Sequence, residues 1–179
     1  MARIARVVVP GCPHRVTHPP SRRRFTSKNT LRSRRWAGLG NRRQRSFFED
    51  DVYLRYKELL AECCKAAGVE IWAYCLMPNH CHLILVPQDA DGLHAALGEA
   101  HRRYARMINA RKNWTGYLWQ GRFASVAMDE SHLMTCVRLM SNKIPTERGW
   151  LIAPATGAGQ VLARISQAAT MDWCASSRA

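Results

Sequence analysis

Two histidines separated by one residue, His80 and His82, are the side chains best placed for chemistry by type and spacing. They lie in the run Met-Pro-Asn-His-Cys-His-Leu-Ile-Leu-Val-Pro, residues 77–87. Because a β-strand points alternate side chains to opposite faces, we expect both imidazoles on one face and Cys81 on the other. Two neighbouring imidazoles can provide two ligands of a divalent metal ion. The alternative is a pair of half-exposed strand histidines that bind nothing.

A third interpretation adds Cys75 to the two histidines and makes a zinc site, because thiolate and imidazole are typical zinc ligands. Cys75 belongs to the preceding predicted strand, from which it could approach His80. The seven cysteines are odd in number and show no Cys-x-x-Cys spacing, so no disulfide framework is predicted. Reduced thiols and a cytoplasmic location are expected instead.

The charge of the chain indicates a polyanionic partner. The formal net charge is +14, no acidic residue precedes Glu49, and residues 1–45 hold 13 of the 27 basic residues. Such a field suits nucleic acid or an anionic membrane surface, although a solvated basic surface without a partner is the alternative. No apolar run reaches the roughly 18–20 residues that cross a membrane. The first apolar stretch is too short for a secretory signal.

Two further segments are typical of contact with DNA. Residues 114–123 interleave aromatic residues, glycines and one arginine, and residues 40–44 form a polar, cationic loop. Aromatic faces stack unpaired bases and arginines contact phosphate, although such aromatics can equally belong to the core. The DNA-binding candidates are Asn41, Arg42, Arg43, Gln44, Arg102, Arg103, Trp119, Gln120 and Arg122.

Hydrophobic periodicity predicts the elements that must position these residues. The predicted elements are a strand at 6–9 continued at 14–17, a helix capped by Asp50 or Asp51 that runs to 67, strands at 69–77 and 80–86, a helix preceded by Asp91 that runs to 111, a strand at 123–128 and a helix that starts at Asp129 or Ser131 and runs to 138. This order predicts an α+β fold, a ferredoxin-like or RRM-like split βαβ sandwich. A four-stranded antiparallel sheet would then carry helices on one face and leave an open face for a ligand.

The same patterns predict which side chains are buried. On the first strand of the hairpin, Val69, Ile71 and Ala73 are expected to share one face. The buried stripe of the helix at 91–111 is predicted to contain Leu93, Leu97, Ala100, Tyr104 and Ile108. Its remaining surface is predicted to contain His101, Arg102, Arg103, Arg106 and Arg111. Residues 19–39, basic and nearly without apolar residues, are expected to form an inserted arm that is disordered without a partner.

Four segments together resemble one protein family. Pro-Gly-Cys-Pro-His-Arg-Val-Thr at 10–17, Gly-Asn-Arg-Arg-Gln at 40–44, Ala-Tyr-Cys-Leu-Met-Pro-Asn-His-Cys-His-Leu-Ile-Leu at 73–85 and Gly-Tyr-Leu-Trp-Gln-Gly-Arg-Phe at 116–123 are similar to the REP-associated tyrosine transposases. These belong to the insertion-sequence-200-like, single-tyrosine class of HUH nucleases. The resemblance covers residues 1–18 and 40–138. It implies an enzyme that cuts and rejoins single-stranded DNA, often at hairpin-forming repeats.

The resemblance also implies the roles of the site residues. His80 and His82 would hold Mg²⁺ or Mn²⁺, which polarises the scissile phosphate. A tyrosine on the helix after the fourth strand would attack phosphorus, forming a 5′-phosphotyrosine and freeing a 3′-OH. An Asn or Gln four residues later, one helical turn on, would be the third metal ligand. Relatives work as dimers or monomers, so a homodimer is an open expectation.

The chain departs from this pattern where the nucleophile should stand. After Arg138 the pattern expects tyrosine, but the chain continues Leu139-Met140-Ser141-Asn142. No tyrosine follows Tyr117, and Asn142 is three residues after Leu139 instead of four. Tyr104 is the main internal rival, but it belongs to the predicted buried stripe. No catalytic residue is therefore predicted, because the expected tyrosine is absent at Leu139/Met140.

A frameshift explains this departure better than gradual substitution. Read two nucleotides later in each codon, residues 139–151 can spell Tyr-Val-Glu-Gln-Asn-Pro-Asp-Arg-Ala-Arg-Leu-Val. Near the end, the shifted reading of residues 171–174 is forced by the genetic code to Gly-Leu-Val, which agrees with the family's C-terminal segment. The predicted organisation is a transposase domain at 1–138, interrupted at 19–39, and an out-of-frame tail at 139–179. The predicted function is that of a DNA transposition protein impaired in cleavage; the alternative is a non-catalytic binder of single-stranded or hairpin DNA.

Overall fold

A computed structural model of the protein describes residues 7–18, 26–27, 45–119 and 122–142. Its elements are β1 (His14–His18), β2 (Thr26–Ser27), α1 (Asp50–Ala66), β3 (Val69–Met77), β4 (His80–Pro87), α2 (Gly92–Lys112), β5 (Trp114–Thr115), β6 (Ala124–Ala127) and α3 (Glu130–Asn142). Within the described part of the chain, no helix is long and apolar enough to cross a membrane. The six cysteines in this part are buried and outside any disulfide.

The main sheet has four antiparallel strands in the order β3-β4-β1-β6. The central strand β1 pairs with β4 on one side and with β6 on the other. Strands β3 and β4 form the predicted hairpin, in which Met77 lies opposite His80. The predicted α+β fold with a four-stranded antiparallel sheet is confirmed.

Helices α1 and α2 cover one face of this sheet. Their apolar residues join Val16, Leu83 and Leu85 in the larger of two hydrophobic clusters. The predicted stripe of α2 is confirmed, because Leu93, Leu97, Ala100, Tyr104 and Ile108 are all fully buried. We call this surface of the sheet, together with α1 and α2, the helical face.

The third helix packs on the opposite face. Leu133 and Cys136 of α3 join Cys75, Ile84 and Val86 in the second hydrophobic cluster. This face is therefore partly covered by the helix that follows the split βαβ unit. We call it the α3 face.

The strand positions differ from the sequence prediction in two places. Residues 7–9 are not a strand: a turn at Pro10-Gly11 separates them from β1, with Gly11 at a φ of +74°. On β3, a register shift between Ile71 and Ala73 marks a bulge at Trp72. Because one extra residue reverses the alternation, Ala73 lies on the α3 face and not with Ile71.

Two local predictions at the edges of the domain are also corrected. Thr26 and Ser27, within the arm predicted to be structureless, pair as β2 with Trp114 and Thr115 of β5. The rest of that arm lies outside the described residues. Helix α1 begins at Asp50, with Glu49 at its N-cap position in an extended conformation and without a side-chain cap bond.

Candidate functional site

The β3–β4 hairpin positions the two histidines. A two-residue turn, Pro78-Asn79, joins the strands, and His80 opens β4. His80 and His82 are both partly exposed, whereas Cys81 between them is fully buried on the helical face. The predicted separation of the imidazoles from the thiol is confirmed.

The two imidazoles meet through the same atom of each ring. His80 Nε2 and His82 Nε2 are 3.1 Å apart. Two ligand atoms that each lie ~2.1 Å from one ion and subtend a right angle at it are ~3.0 Å from each other. The spacing of the two nitrogens thus fits two adjacent ligands of a divalent metal ion.

The opposite nitrogens of the rings are bonded to neighbouring side chains. His80 Nδ1–H donates to Asn79 Oδ1 at 2.6 Å, which leaves the lone pair of that ring on Nε2. His82 Nδ1 is hydrogen-bonded to Thr17 Oγ1 at 3.1 Å. Such outer bonds fix the tautomer and orientation of metal-ligating histidines. Thr17 was missed at the sequence level, since only the pairing of β1 with β4 brings it opposite His82.

The zinc interpretation with Cys75 is not supported. Cys75 lies directly opposite His82 across the β3–β4 pair, but it is only 2% exposed and packs within the apolar cluster of the α3 face. Among the residues that the structure describes, no group of three or more His, Cys, Asp or Glu side chains could hold a metal. The two imidazoles are therefore the candidate metal ligands among the described residues.

Helix α3 includes the positions at which the nucleophile is expected. Leu133 and Cys136 anchor the helix beside Ile84, which is two residues after His82 on the same strand. The helix continues through Asn142, so positions 139 and 140 belong to it. Residue 140 is one helical turn beyond Cys136.

All five tyrosines of the chain lie away from the histidine pair. Tyr53, Tyr56, Tyr74 and Tyr104 belong to, or pack against, the cluster of the helical face, and Tyr117 lines a cleft beside α2. Tyr104 is fully buried and donates its hydroxyl to the carbonyl of Ser46 at 2.8 Å. Burial raises its pKa, which opposes formation of a phenolate nucleophile.

The predicted DNA-binding residues are dispersed. Arg102 and Arg103 lie on α2 and are engaged by Glu99 and Glu62, each at 2.7 Å. Arg122 is exposed beside the same helix. Trp119, predicted to stack bases, is instead only 7% exposed and stacks on His18 at 4.8 Å. Asn41, Arg42, Arg43, Gln44 and Gln120 lie outside the described residues.

A second histidine pair was not predicted. His101 was expected on the surface of α2, but it is 5% exposed, and its Nδ1 lies 2.7 Å from Nδ1 of His18. Its Nε2 is 2.8 Å from the hydroxyl of Tyr56. Burial, together with the neighbouring His18, holds the pKa of His101 well below the usual value of 6.5. No sequence spacing signals this pair, because its members are 83 residues apart.

Comparisons with known proteins place this arrangement in a family. Residues 39–142 match the family described as "Transposase IS200 like". A solved structure of a REP-associated tyrosine transposase bound to a REP hairpin is 16% identical, with a TM-score of 0.48, covering 78% of this chain and 74% of its own. A crystal structure of a candidate transposase from Deinococcus radiodurans R1 is 19% identical, with a TM-score of 0.47, covering 79% and 98%. No curated protein matches. Since the family match spans more than half of the sequence, the chain belongs to the IS200-like transposase family.

Proposed function

We propose that this protein binds single-stranded or hairpin DNA with a divalent metal ion at His80 and His82, and that it does not form a covalent DNA adduct. The observation that carries the proposal is that the candidate metal ligands and the tyrosines of the chain lie in different parts of the molecule. The two Nε2 atoms lie 3.1 Å apart on the α3 face, while all five tyrosines lie elsewhere.

The histidine pair would hold Mg²⁺ or Mn²⁺, and such an ion polarises a phosphodiester and neutralises charge on its oxygens. Asn79 and Thr17 would keep the two rings oriented with Nε2 toward the ion. Among the described residues, no third His, Cys, Asp or Glu completes a ligand set with the two histidines. The ion would therefore keep open positions for water or for a phosphate oxygen.

DNA is the partner favoured by charge and family. The net charge of +14 attracts a polyanion, and membership of a transposase family points to DNA. The REP hairpin in the solved relative is a partner of that protein, and we propose the same class of partner for this chain. A cytoplasmic location and a homodimer remain predictions.

The covalent step needs a tyrosine that faces the ion. Positions 139 and 140, where the family pattern expects it, are leucine and methionine on α3. Aliphatic and thioether side chains cannot attack phosphorus as an oxygen nucleophile does. We propose that residues 139–179 are translated out of frame after an intact domain at 1–138 with its insertion at 19–39. The nucleotide sequence around codon 139 tests this: the idea is wrong if no one- or two-base shift there restores the tyrosine.

The function is tested with a labelled DNA hairpin that carries a single-stranded flank, incubated with Mn²⁺. A native gel is expected to show a shifted complex, and a denaturing gel is expected to show no DNA covalently attached to protein. The chain read in the shifted frame from codon 139 is the positive control and is expected to form the adduct. An adduct with the unshifted chain would contradict the proposal.

The second candidate function is a binder that does not need the metal, for example one that represses or guides an intact relative. The dispersion of the basic side chains favours it, because Arg102 and Arg122 lie beside α2, on the face away from the histidines. A shifted complex that persists with His80→Ala and with chelator would favour this candidate. Loss of the complex in both conditions would favour the metal-dependent function.

A further inference from the structure

A cleft on the helical face is unexplained by the histidine site. It lies between α2 and the segment around residues 116–119 and 122–123, and its volume is about 470 Å³. Volumes of roughly 300–1,000 Å³ are usual for sites that take small molecules. His18 lines the cleft and lies on β1, next to Thr17, which is opposite His82. Because neighbouring residues of a strand face opposite sides of the sheet, the cleft and His82 are on different faces.

The rim of the cleft is cationic. Arg102, Arg106 and Arg122 line it and are exposed, and no described lining residue is acidic. Glu99 pairs with Arg102 at 2.7 Å, but Arg102 keeps more than half of its side chain in solvent. Three guanidinium groups around one opening suit a phosphate group.

The wall of the cleft is apolar and aromatic. Leu97, Leu118 and Phe123 contribute to it, and Tyr117, which is 73% exposed, lies at the same opening. The inner wall contains His18 and His101, held by the 2.7 Å bond between them and by the bond from His101 to Tyr56. A flat apolar ligand would find a rigid surface here.

Two polar atoms of the lining side chains lack partners. Trp119 Nε1 and Asn109 Oδ1 are buried and form no hydrogen bond within the described structure. Both atoms are shielded from solvent, so they belong to the interior of the wall. A nucleobase presents a planar apolar face to such a wall, and its attached phosphate suits the three arginines.

We propose that this cleft binds one unpaired nucleotide of DNA, with the base against the aromatic wall and the phosphate among the three arginines. The inference rests on the proposed DNA-binding function and adds a site that is independent of the metal. The protein then contacts DNA at two places on opposite faces of its sheet. A free phosphate ion would use the arginines alone, and a peptide would not require three cations at one opening.

The cleft can be closed without disturbing the core. Gly98 lines it on α2, and a Cβ added there meets no atom within 4 Å. Gly98→Leu places an aliphatic side chain at the opening, and Gly98→Ala is the matched control. Arg106→Gln removes one rim cation, and Arg55→Gln, which changes an exposed arginine of α1, is its control.

Binding of labelled pentathymidylate to the full chain is measured by fluorescence anisotropy in the presence of Mn²⁺. We expect Gly98→Leu and Arg106→Gln to weaken binding by about tenfold, while both controls bind as the parent does. Replacing one base of the pentamer by an abasic residue is expected to weaken parent binding by about tenfold, since stacking contributes about that much per base.

Equal affinities for Gly98→Leu and Gly98→Ala would overturn the proposal, and so would equal affinities for the intact and abasic strands. Competition by inorganic phosphate as effective as that by thymidine monophosphate would reduce the cleft to a phosphate site and also overturn it. Any of these results with normal binding by the parent leaves the proposed function intact. Absence of DNA binding by the parent with and without Mn²⁺ contradicts both.

Discussion

The protein contains two pairs of histidines in contact, and they differ in almost every physical respect. His80 and His82 are two residues apart on one strand and partly exposed, with Nε2 atoms 3.1 Å apart. His18 and His101 come from a strand and a helix, are nearly fully buried, and meet through Nδ1 atoms at 2.7 Å.

Their surroundings give the two pairs different chemistry. The strand pair is oriented by Asn79 and Thr17 and can approach an ion from solvent. The buried pair continues into the hydroxyl of Tyr56, which lies 3.5 Å from Sγ of Cys81. This chain of hydrogen bonds joins β1, α2, α1 and β4 inside the larger cluster. The buried pair contributes to holding the fold together, whereas the strand pair is the one proposed to bind a metal ion.

Removing one histidine of the buried pair should have the largest effect, and that effect is on stability. His101→Ala removes the hydrogen bonds of His101 with His18 and Tyr56 and opens a cavity in the core, so we expect the free energy of unfolding to fall by about 2–4 kcal/mol. Chemical denaturation monitored by circular dichroism measures this. His94→Ala, an exposed histidine on the same helix, is the control and should change stability by less than about 0.5 kcal/mol. Equal effects of the two substitutions would contradict the claim that the buried pair stabilises the fold.

Acidification should lower the free energy of unfolding of the protein. Burial lowers the pKa of His101 and of His14, so the unfolded chain takes up protons at a higher pH than the folded chain. Stability is therefore complete above the ordinary histidine pKa of 6.5 and is lost as pH falls below it. Each such histidine contributes a slope of up to about 1.4 kcal/mol per pH unit. Denaturation at pH 7 and pH 5.5 should show a shallower decrease for His101→Gln than for the parent; an identical decrease would show that His101 does not titrate this way.

A smaller effect, on metal affinity, is expected when the hydrogen bond between Thr17 and His82 is removed. Thr17→Val removes the hydroxyl that bonds His82 Nδ1 while preserving shape, and loss of such a partner typically costs about tenfold in metal affinity. Isothermal titration with Mn²⁺ measures it. Thr135→Val on α3, whose hydroxyl bonds only the carbonyl of Ser131, is the matched control. Unchanged affinity in Thr17→Val would remove Thr17 from the site.

The strand pair could be predicted from the sequence because its geometry depends only on neighbouring residues of one strand. Period-two alternation places His80 and His82 on one face of β4 without knowledge of any other element. The same rule failed on β3, where the bulge at Trp72 moved Ala73 to the other face. A bulge inserts one extra residue into a strand, and the alternation of residue types does not show where that residue lies.

The buried pair and the cleft could not be predicted in this way. Helical periodicity placed His101 beside Arg102 on the surface, but the contact that buries it comes from β1, and the ring of Trp119 closes over it. Long-range packing decides such positions, and a single histidine on a helix does not reveal its partner. The absence of a tyrosine after Tyr117 is evident from sequence alone, since it depends on residue identity and not on packing.

Binding of Mn²⁺ by the parent, His80→Ala and His82→Ala chains tests the central claim most directly. The electron paramagnetic resonance signal of free Mn²⁺ reports binding without any need for activity. We predict that the parent binds one ion and that each alanine variant loses affinity by at least about tenfold, because each removes one of two imidazole ligands. His94→Ala should bind as the parent does. Equal binding by all four chains would contradict the assignment of His80 and His82 as the metal site.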